Sequence, residues 1–218
     1  MNGDDVVDAD RLEVEGLACA AGVRTLFDGV GFRLGPGQWI RLGGPNGCGK
    51  STLLRALAGL GRPIAGSIRW RGAATAASRD AWHAAIAYQG HLPGCKDNLG
   101  AADNLRWQLA LDGEPATPAR LRELLGRVGL ERQARLDYQR LSAGQRRRLG
   151  LARLLGIHRP LWLLDEPTTA LDASGQALFG QILGAHLGGG GLAICATHLD
   201  LPVAIEPIRL ELGGARPS

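Results

Sequence analysis

The residues best suited to chemistry are Gly44-Pro45-Asn46-Gly47-Cys48-Gly49-Lys50-Ser51. Their spacing is G-x-x-x-x-G-K-[ST], the form of a phosphate-binding loop. Glycines let backbone N–H groups turn inward around phosphate oxygens, and a helix beginning just after them adds favourable potential for an anion. Lys50 has the reach for β- and γ-phosphates, and the Ser51 hydroxyl can sit on Mg²⁺. The setting agrees with that chemistry. A short apolar stretch (Trp39, Ile40, Leu42) precedes the loop, and a helical one (Leu53, Leu54, Ala56, Leu57, Ala58) follows it.

Two further groups complete the chemical inventory. Leu161-Trp162-Leu163-Leu164-Asp165-Glu166-Pro167 sets two carboxylates at the end of an apolar run, the place where open α/β sheets bind ligands. There Asp165 would hold Mg²⁺ and Glu166 would polarise a water. Leu141-Ser142-Ala143-Gly144-Gln145 precedes Arg146-Arg147-Arg148 and a leucine-rich helix. Small residues at a helix start expose N–H groups to an anion. Taken alone this stretch is an ordinary helix cap, and the arginine run reads as a solvated helix face.

The elements that must position these groups follow from pattern. Residues 1–10 read as an acidic disordered tail and Gly213 to Ser218 as a loose end. Residues 11–218 read as one domain. Leu12/Val14, Val30/Phe32/Leu34 and Trp39 to Leu42 alternate as short strands. A helix after the loop stops near Gly59 and Gly61. Ser67 to Arg71 is a further strand, and Ile86 to Tyr88 fits a buried one. Between about 91 and 158 the pattern turns helical, with Leu121, Leu124, Leu125 and Val128 on one face. Leu161 to Leu164 suits a central parallel strand, followed by a helix over 173–187 and a buried strand over Leu192 to Ala196. Strand–helix alternation around a helical insertion predicts a parallel-sheet nucleotide-binding core with a helical lobe.

Bulk properties narrow the function classes. The 218 residues suffice for one large α/β domain. A formal charge of +4, with Lys50 and Lys96 the only lysines, suits a nucleotide or an anionic surface and is far from a nucleic-acid footprint. Cys19, Cys48, Cys95 and Cys195 form no C-x-x-C pair, and the histidines have no paired metal spacing, so a reduced chain without structural metal is expected. Asp4, Asp5, Asp8 and Asp10 occupy the region where a signal peptide needs a basic and then an apolar segment. No run approaches the ~18 apolar residues of a membrane span, so the chain is expected to be soluble.

Together the motifs resemble an ABC-type ATPase domain. They cover nearly the whole chain in family order: the phosphate loop, the signature Leu141 to Gln145, the strand ending in Asp165-Glu166, the D-loop Ala170-Leu171-Asp172, and a switch histidine, His198, after Ala196-Thr197. The resemblance implies an α/β P-loop NTPase with a parallel-sheet core, an antiparallel β subdomain and an inserted helical subdomain. It implies ATP and Mg²⁺ as ligands. Residues 44–51 and Thr52 would bind nucleotide, Ser51 and Asp165 would hold Mg²⁺, and Glu166 and His198 would be catalytic. Ser142, Ala143, Gly144 and Gln145 would contact the nucleotide of a second copy in a homodimer, next to the D-loop residue Asp172.

Two positions depart from the pattern. Cys19-Ala20-Ala21-Gly22-Val23 lacks the aromatic residue that stacks on adenine in relatives, which implies weaker discrimination between ATP and GTP. The Q-loop position falls on His91, with Gln89 as the other candidate. Cys48, inside the phosphate loop, is expected to be alkylated in the empty protein and protected by ATP.

Three stretches are similar to one subfamily, the ATP-binding subunit of the haem exporter of cytochrome c biogenesis: Tyr88-Gln89-Gly90-His91-Leu92-Pro93-Gly94-Cys95-Lys96, Leu141 to Leu155, and Pro160 to Pro167. That likeness implies a peripheral protein on the cytoplasmic face of the bacterial inner membrane, bound to integral membrane subunits, with no nucleic-acid partner. The surface around Tyr88 to Trp107 is the candidate docking face. No residue pattern specifies haem, so direct haem binding is not expected, and another transported cargo stays open.

Overall fold

The computed structural model describes residues 10–91 and 94–213. The acidic tail, apart from Asp10, and the loose end beyond Gly213 lie outside them. The described chain opens with β1 (Leu12–Ala21), β2 (Arg24–Leu34) and β3 (Trp39–Gly43), then α1 (Lys50–Leu57), β4 (Ala65–Trp70), β5 (Ala73–Ala74), α2 (Arg79–Ala85) and β6 (Ile86–Gln89). Three helices follow, α3 (Ala101–Leu111), α4 (Pro118–Arg127) and α5 (Ala143–Gly156). The chain then returns to strand β7 (Leu161–Asp165), helix α6 (Ala173–Gly188) and strands β8 (Leu192–Ala196) and β9 (Ile208–Glu211).

Two sheets result. One is antiparallel, in the order β2-β1-β4-β5, and the other has five strands in the order β6-β7-β8-β3-β9 with every pair parallel. β7 and β8 are buried at every residue, which is why their sequences read as unbroken apolar runs rather than alternating ones. The two-residue period of a strand still sorts their side chains. Trp162, Leu164, Ala193 and Cys195 enter one apolar cluster, shared with α3 to α6. Leu161, Leu163, Leu192, Ile194 and Ala196 enter the other, under α1 and the antiparallel sheet. The sheet is thus sandwiched between two cores, and its strand ends are held rigidly.

Between β6 and β7 the regular structure is helical. α4 begins at Pro118 with Thr117 as its cap, the Thr117 hydroxyl accepting from Arg120 N at 3.3 Å. Leu121, Leu124 and Leu125 are its buried face. The helical lobe is tied to the sheet by Arg153, which donates to both carboxylate oxygens of Asp112 at 2.8 and 3.0 Å and to Tyr88 O at 3.1 Å.

The arginine run departs from expectation: it is not a solvated face. Arg146 donates to Tyr138 O and Gln139 O and stands over the Tyr138 ring. Arg147 is buried. Arg148 donates to Asp172 and Ser174 at 3.0 and 2.8 Å. Burial, partly offset by Tyr138, Asp165 and Glu166, holds the Arg147 guanidinium below its ordinary range.

Candidate nucleotide-binding site

Register brings the chemistry together. Leu42 of β3 and Asp165 of β7 both pair with Ala196 of β8. Three adjacent strands therefore end side by side, and each hands its chain to one part of the site. β3 runs into the phosphate loop, β7 into Glu166, and β8 into Thr197 and His198. Glu166 N donates to Ala196 O at 2.9 Å and Thr197 N to Leu42 O at 3.3 Å, so the exits are stitched to one another.

The phosphate loop needs glycine for two physical reasons. Gly44 and Gly49 have φ of 124° and 108°, which side chains with a Cβ rarely adopt. A Cβ on Gly49 would also lie 2.8 Å from Phe27 Cδ1, and one on Gly44 would run into the Leu212 carbonyl. α1 starts from that left-handed Gly49 with no side-chain cap, so its first-turn N–H groups are left for an anion. Lys50 Nζ meanwhile donates to Gly44 O at 2.6 Å and Pro45 O at 3.2 Å.

A cavity of about 420 Å³ opens over the loop, lined by Asn46, Gly47, Gly49, Lys50, Ser51 and Thr52. Asp165, Glu166, His91, Ala21 and Leu26 complete its lining. That volume is in the range of small-ligand sites. The Ser51 hydroxyl and the buried Asp165 carboxylate are hard oxygen donors in one cavity. They fit Mg²⁺, which takes one or two protein oxygens and fills its other positions with phosphate and water. Among the described residues no group of three or more His, Cys, Asp or Glu side chains forms a metal site by itself.

Glu166 has φ of 49°, a region costing roughly 1–3 kcal/mol for a residue with a side chain. His198 does not line the cavity; its Nε2 lies 3.5 Å from Glu166 Oε1. With that backbone, Glu166 lines the cavity together with Asp165, its neighbour in sequence.

Other residues lie elsewhere. Gly44, Pro45 and Cys48 support the loop rather than line the cavity. Cys48 is 8 % exposed and sits in the core under the loop, its N–H donating to Pro45 O. Ready alkylation is therefore not expected, because the thiol points into the core. Gln89 is buried with Nε2 unpartnered, close against Gly150 of α5, whereas His91 lines the cavity. Ser142 to Gln145 do not line it. Ser142 caps α5 and, with Gln145, closes a capping box. Gly144 lies against the Ala170 carbonyl, and Asp172 caps α6. The N–H of Gly175, the Ser174 hydroxyl and Arg148 together hold the Asp172 carboxyl below its usual range.

The parallel sheet, the glycine-built phosphate loop and the adjacent carboxylates define a nucleotide-binding ATPase of the P-loop class. Comparison with known proteins specifies it further. The ABC transporter family model matches residues 27–169. The chain is 46 % identical over 197 residues to the cytochrome c biogenesis ATP-binding export protein CcmA of Aromatoleum aromaticum, covering 90 % of this chain and 92 % of that one. It is equally 46 % identical to the protein of that name from Methylococcus capsulatus, covering 87 % and 91 %. Its fold is similar, with a TM-score of 0.75 at 24 % identity, to an ATP-binding cassette solved as a dimer in a post-hydrolysis state with ADP and phosphate, covering 86 % of this chain and 88 % of that one. The chain belongs to the ABC transporter family, among the cytochrome c biogenesis ATP-binding export proteins, and is an ABC-type ATPase. Among the described residues no helix is long and apolar enough to cross a membrane.

Proposed function

We propose that this chain binds ATP over the phosphate loop and hydrolyses it between two copies of itself to drive haem export for c-type cytochrome maturation. The loop N–H groups and Lys50 hold the β- and γ-phosphates. Lys50 exchanges its present carbonyl partners for phosphate oxygens, a gain because an ionised acceptor makes the stronger hydrogen bond. Ser51 and Asp165 hold Mg²⁺, which when bound neutralises charge on the phosphates.

Glu166 orients the attacking water and His198, beside it, touches the γ-phosphate. His91 is the Q-loop residue, and its place in the cavity wall supports it over Gln89. Ser142 to Gln145 of the second copy close the site, with Asp172 holding the neighbouring turn. Catalysis of this kind is positioning and electrostatics rather than covalent chemistry.

The protein sits on the cytoplasmic face of the inner membrane, bound to integral subunits that carry haem recognition. The docking face is the surface around Tyr88 to Trp107, where Trp107 is 45 % exposed and Lys96 Nζ stands 5.6 Å from its ring centroid. This partner and this location are inferred from the kinship with export proteins reported above.

One observation carries the mechanism: Glu166 held in a strained backbone conformation, in the cavity and within 3.5 Å of His198. Glu166→Gln keeps size and removes charge. We expect it to bind Mg–ATP with an affinity within about twofold of wild type, to dimerise in ATP, and to lose turnover by at least about 100-fold. Wild-type turnover in that variant would remove Glu166 from the chemistry.

A further inference from the structure

We infer that Arg41 is a positioning residue for ATP hydrolysis: it clamps the loop that carries His198 to the strand that carries the phosphate loop. The inference rests on the reading of His198 given above.

Arg41 lies in the middle of β3, between β8 and β9. Its neighbours Trp39, Ile40 and Leu42 are all core residues. A guanidinium is an expensive choice at such a position. Its side chain is 19 % exposed, and its Nε is buried without a partner. The two terminal nitrogens are both engaged. One forms an ion pair with Asp200 Oδ1 at 2.8 Å, and the other donates to His198 O at 3.3 Å.

The segment after β8 needs that clamp. Residues 197–207 contain no helix or strand, and His198, Leu199 and Asp200 are all exposed. Its own bonds are few: Thr197 N to Leu42 O and Leu199 N to Thr197 Oγ1 at the start, Val203 N to Leu201 O further on, and Trp39 Nε1 to Ile205 O near the end. Among the described residues, the side chains that reach His198 and Asp200 from elsewhere in the fold are Arg41 and Glu166. Arg41 fixes the backbone of His198, and Glu166 faces its ring. Arg41 itself does not line the cavity, so it acts on the nucleotide only through His198. The strand it occupies enters the phosphate loop three residues later, which gives His198 and the phosphates a common rigid reference.

The test is steady-state hydrolysis of Mg–ATP by the full chain carrying Arg41→Ala, Arg41→Lys, Asp200→Ala and His198→Ala, singly and combined. Misplacing a contact group lowers kcat and leaves ground-state binding alone, so R41A is expected to lose about tenfold in kcat with KM within about twofold. R41K should recover part of the loss, since an ammonium still reaches Asp200. D200A should lose about two- to threefold, because the exposed carboxylate is the weaker anchor and the bond to His198 O survives. In an H198A background, R41A should cost nothing further. Equal losses from R41A with and without His198, or a raised KM at unchanged kcat, would overturn the clamp. If R41A does not fold, wild-type kcat in both R41K and D200A would overturn it instead. Wild-type turnover in H198A is a different failure, since it removes the assignment of His198 and the clamp with it.

Discussion

Two helix starts in this molecule carry opposite designs. α1 begins at a left-handed glycine with no side-chain cap. α5 begins with a closed capping box, in which Ser142 Oγ accepts from Gln145 N at 3.2 Å and Gln145 Oε1 accepts from Ser142 N at 2.9 Å. Unsatisfied N–H groups cost free energy unless a partner arrives, so α1 leaves a debt that an anion settles. α5 is complete before any ligand is present, and the residues it leaves exposed at its start are Ser142 and Ala143. On the function proposed above, the first start supplies binding energy and the second closes the site.

The largest predicted effect breaks the first start. Gly49→Ala must force a Cβ into φ of 108° and against Phe27. A left-handed L residue alone costs roughly 1–2 kcal/mol, and the Phe27 contact adds to it. Mg–ATP affinity measured by calorimetry should fall by more than about 100-fold, equivalent to about 2.7 kcal/mol. Retained affinity would mean that the loop does not need this backbone to bind phosphate.

How far the sequence revealed this contrast depends on how local each determinant is. The phosphate loop was legible because its glycines, lysine and serine are contiguous and each has one steric or electrostatic task. Asp165-Glu166 was legible because an apolar strand must end somewhere, and carboxylates at that end face the ligand side of the sheet. Cys48 was misread because a loop's outline does not say which side chains turn inward. Counting favours His91 for the Q-loop but leaves Gln89 as the other candidate. β6 ends at Gln89, so the two-residue alternation that would place both on one face stops at Gly90. β9 was missed because Ile208 to Glu211 is short and largely exposed, too brief for alternation to register. The ties of Arg41 and Arg148 were invisible because their partners, Asp200 and Asp172, are distant in sequence.

A smaller effect sharpens the second start. Ser142→Ala removes the cap of α5, which costs about 1 kcal/mol and lowers Tm by roughly 2–4 °C in a chain of this size. The isolated chain should still bind Mg–ATP within about twofold, while turnover falls by about tenfold or more, because the contact proposed for Ser142 in the closed dimer is lost. Mixing Lys50→Ala protomers with Ser142→Ala protomers rebuilds one intact composite site, with the loop from one copy and the signature from the other. Turnover of the mixture above either parent is the expected result. A mixture no faster than its parents would place both helix starts in the same subunit's site.

The smallest effect is a control, drawn from the opposite end of the central strands. His186, in the last turn of α6, stacks on Trp162 with centroids 3.8 Å apart, and its Nε2–H donates to Leu192 O at 3.1 Å. Burial holds this imidazole below the ordinary value of 6.5, against the opposing pull of its bonds to the backbone at Leu192 and Pro160. Below about pH 6.5 the unfolded chain therefore takes up a proton that the folded one refuses. Where the unfolded state binds more protons, stability rises with pH. The contribution of His186 is thus intact above that value and declines as pH drops toward the lowered folded value. The depressed carboxyls, Glu114 and Asp172, have the same sign but lose their contribution only below their ordinary values of 4.5 and 3.8. Between pH 7.5 and 5.5 the fall in Tm should accordingly be steeper in wild type than in His186→Gln. Mg–ATP affinity, compared between the two proteins at each pH, should not differ, because His186 belongs to neither helix start. A pH-dependent difference in affinity between them would show that the two ends of the central strands are coupled and would break the separation of binding from closure.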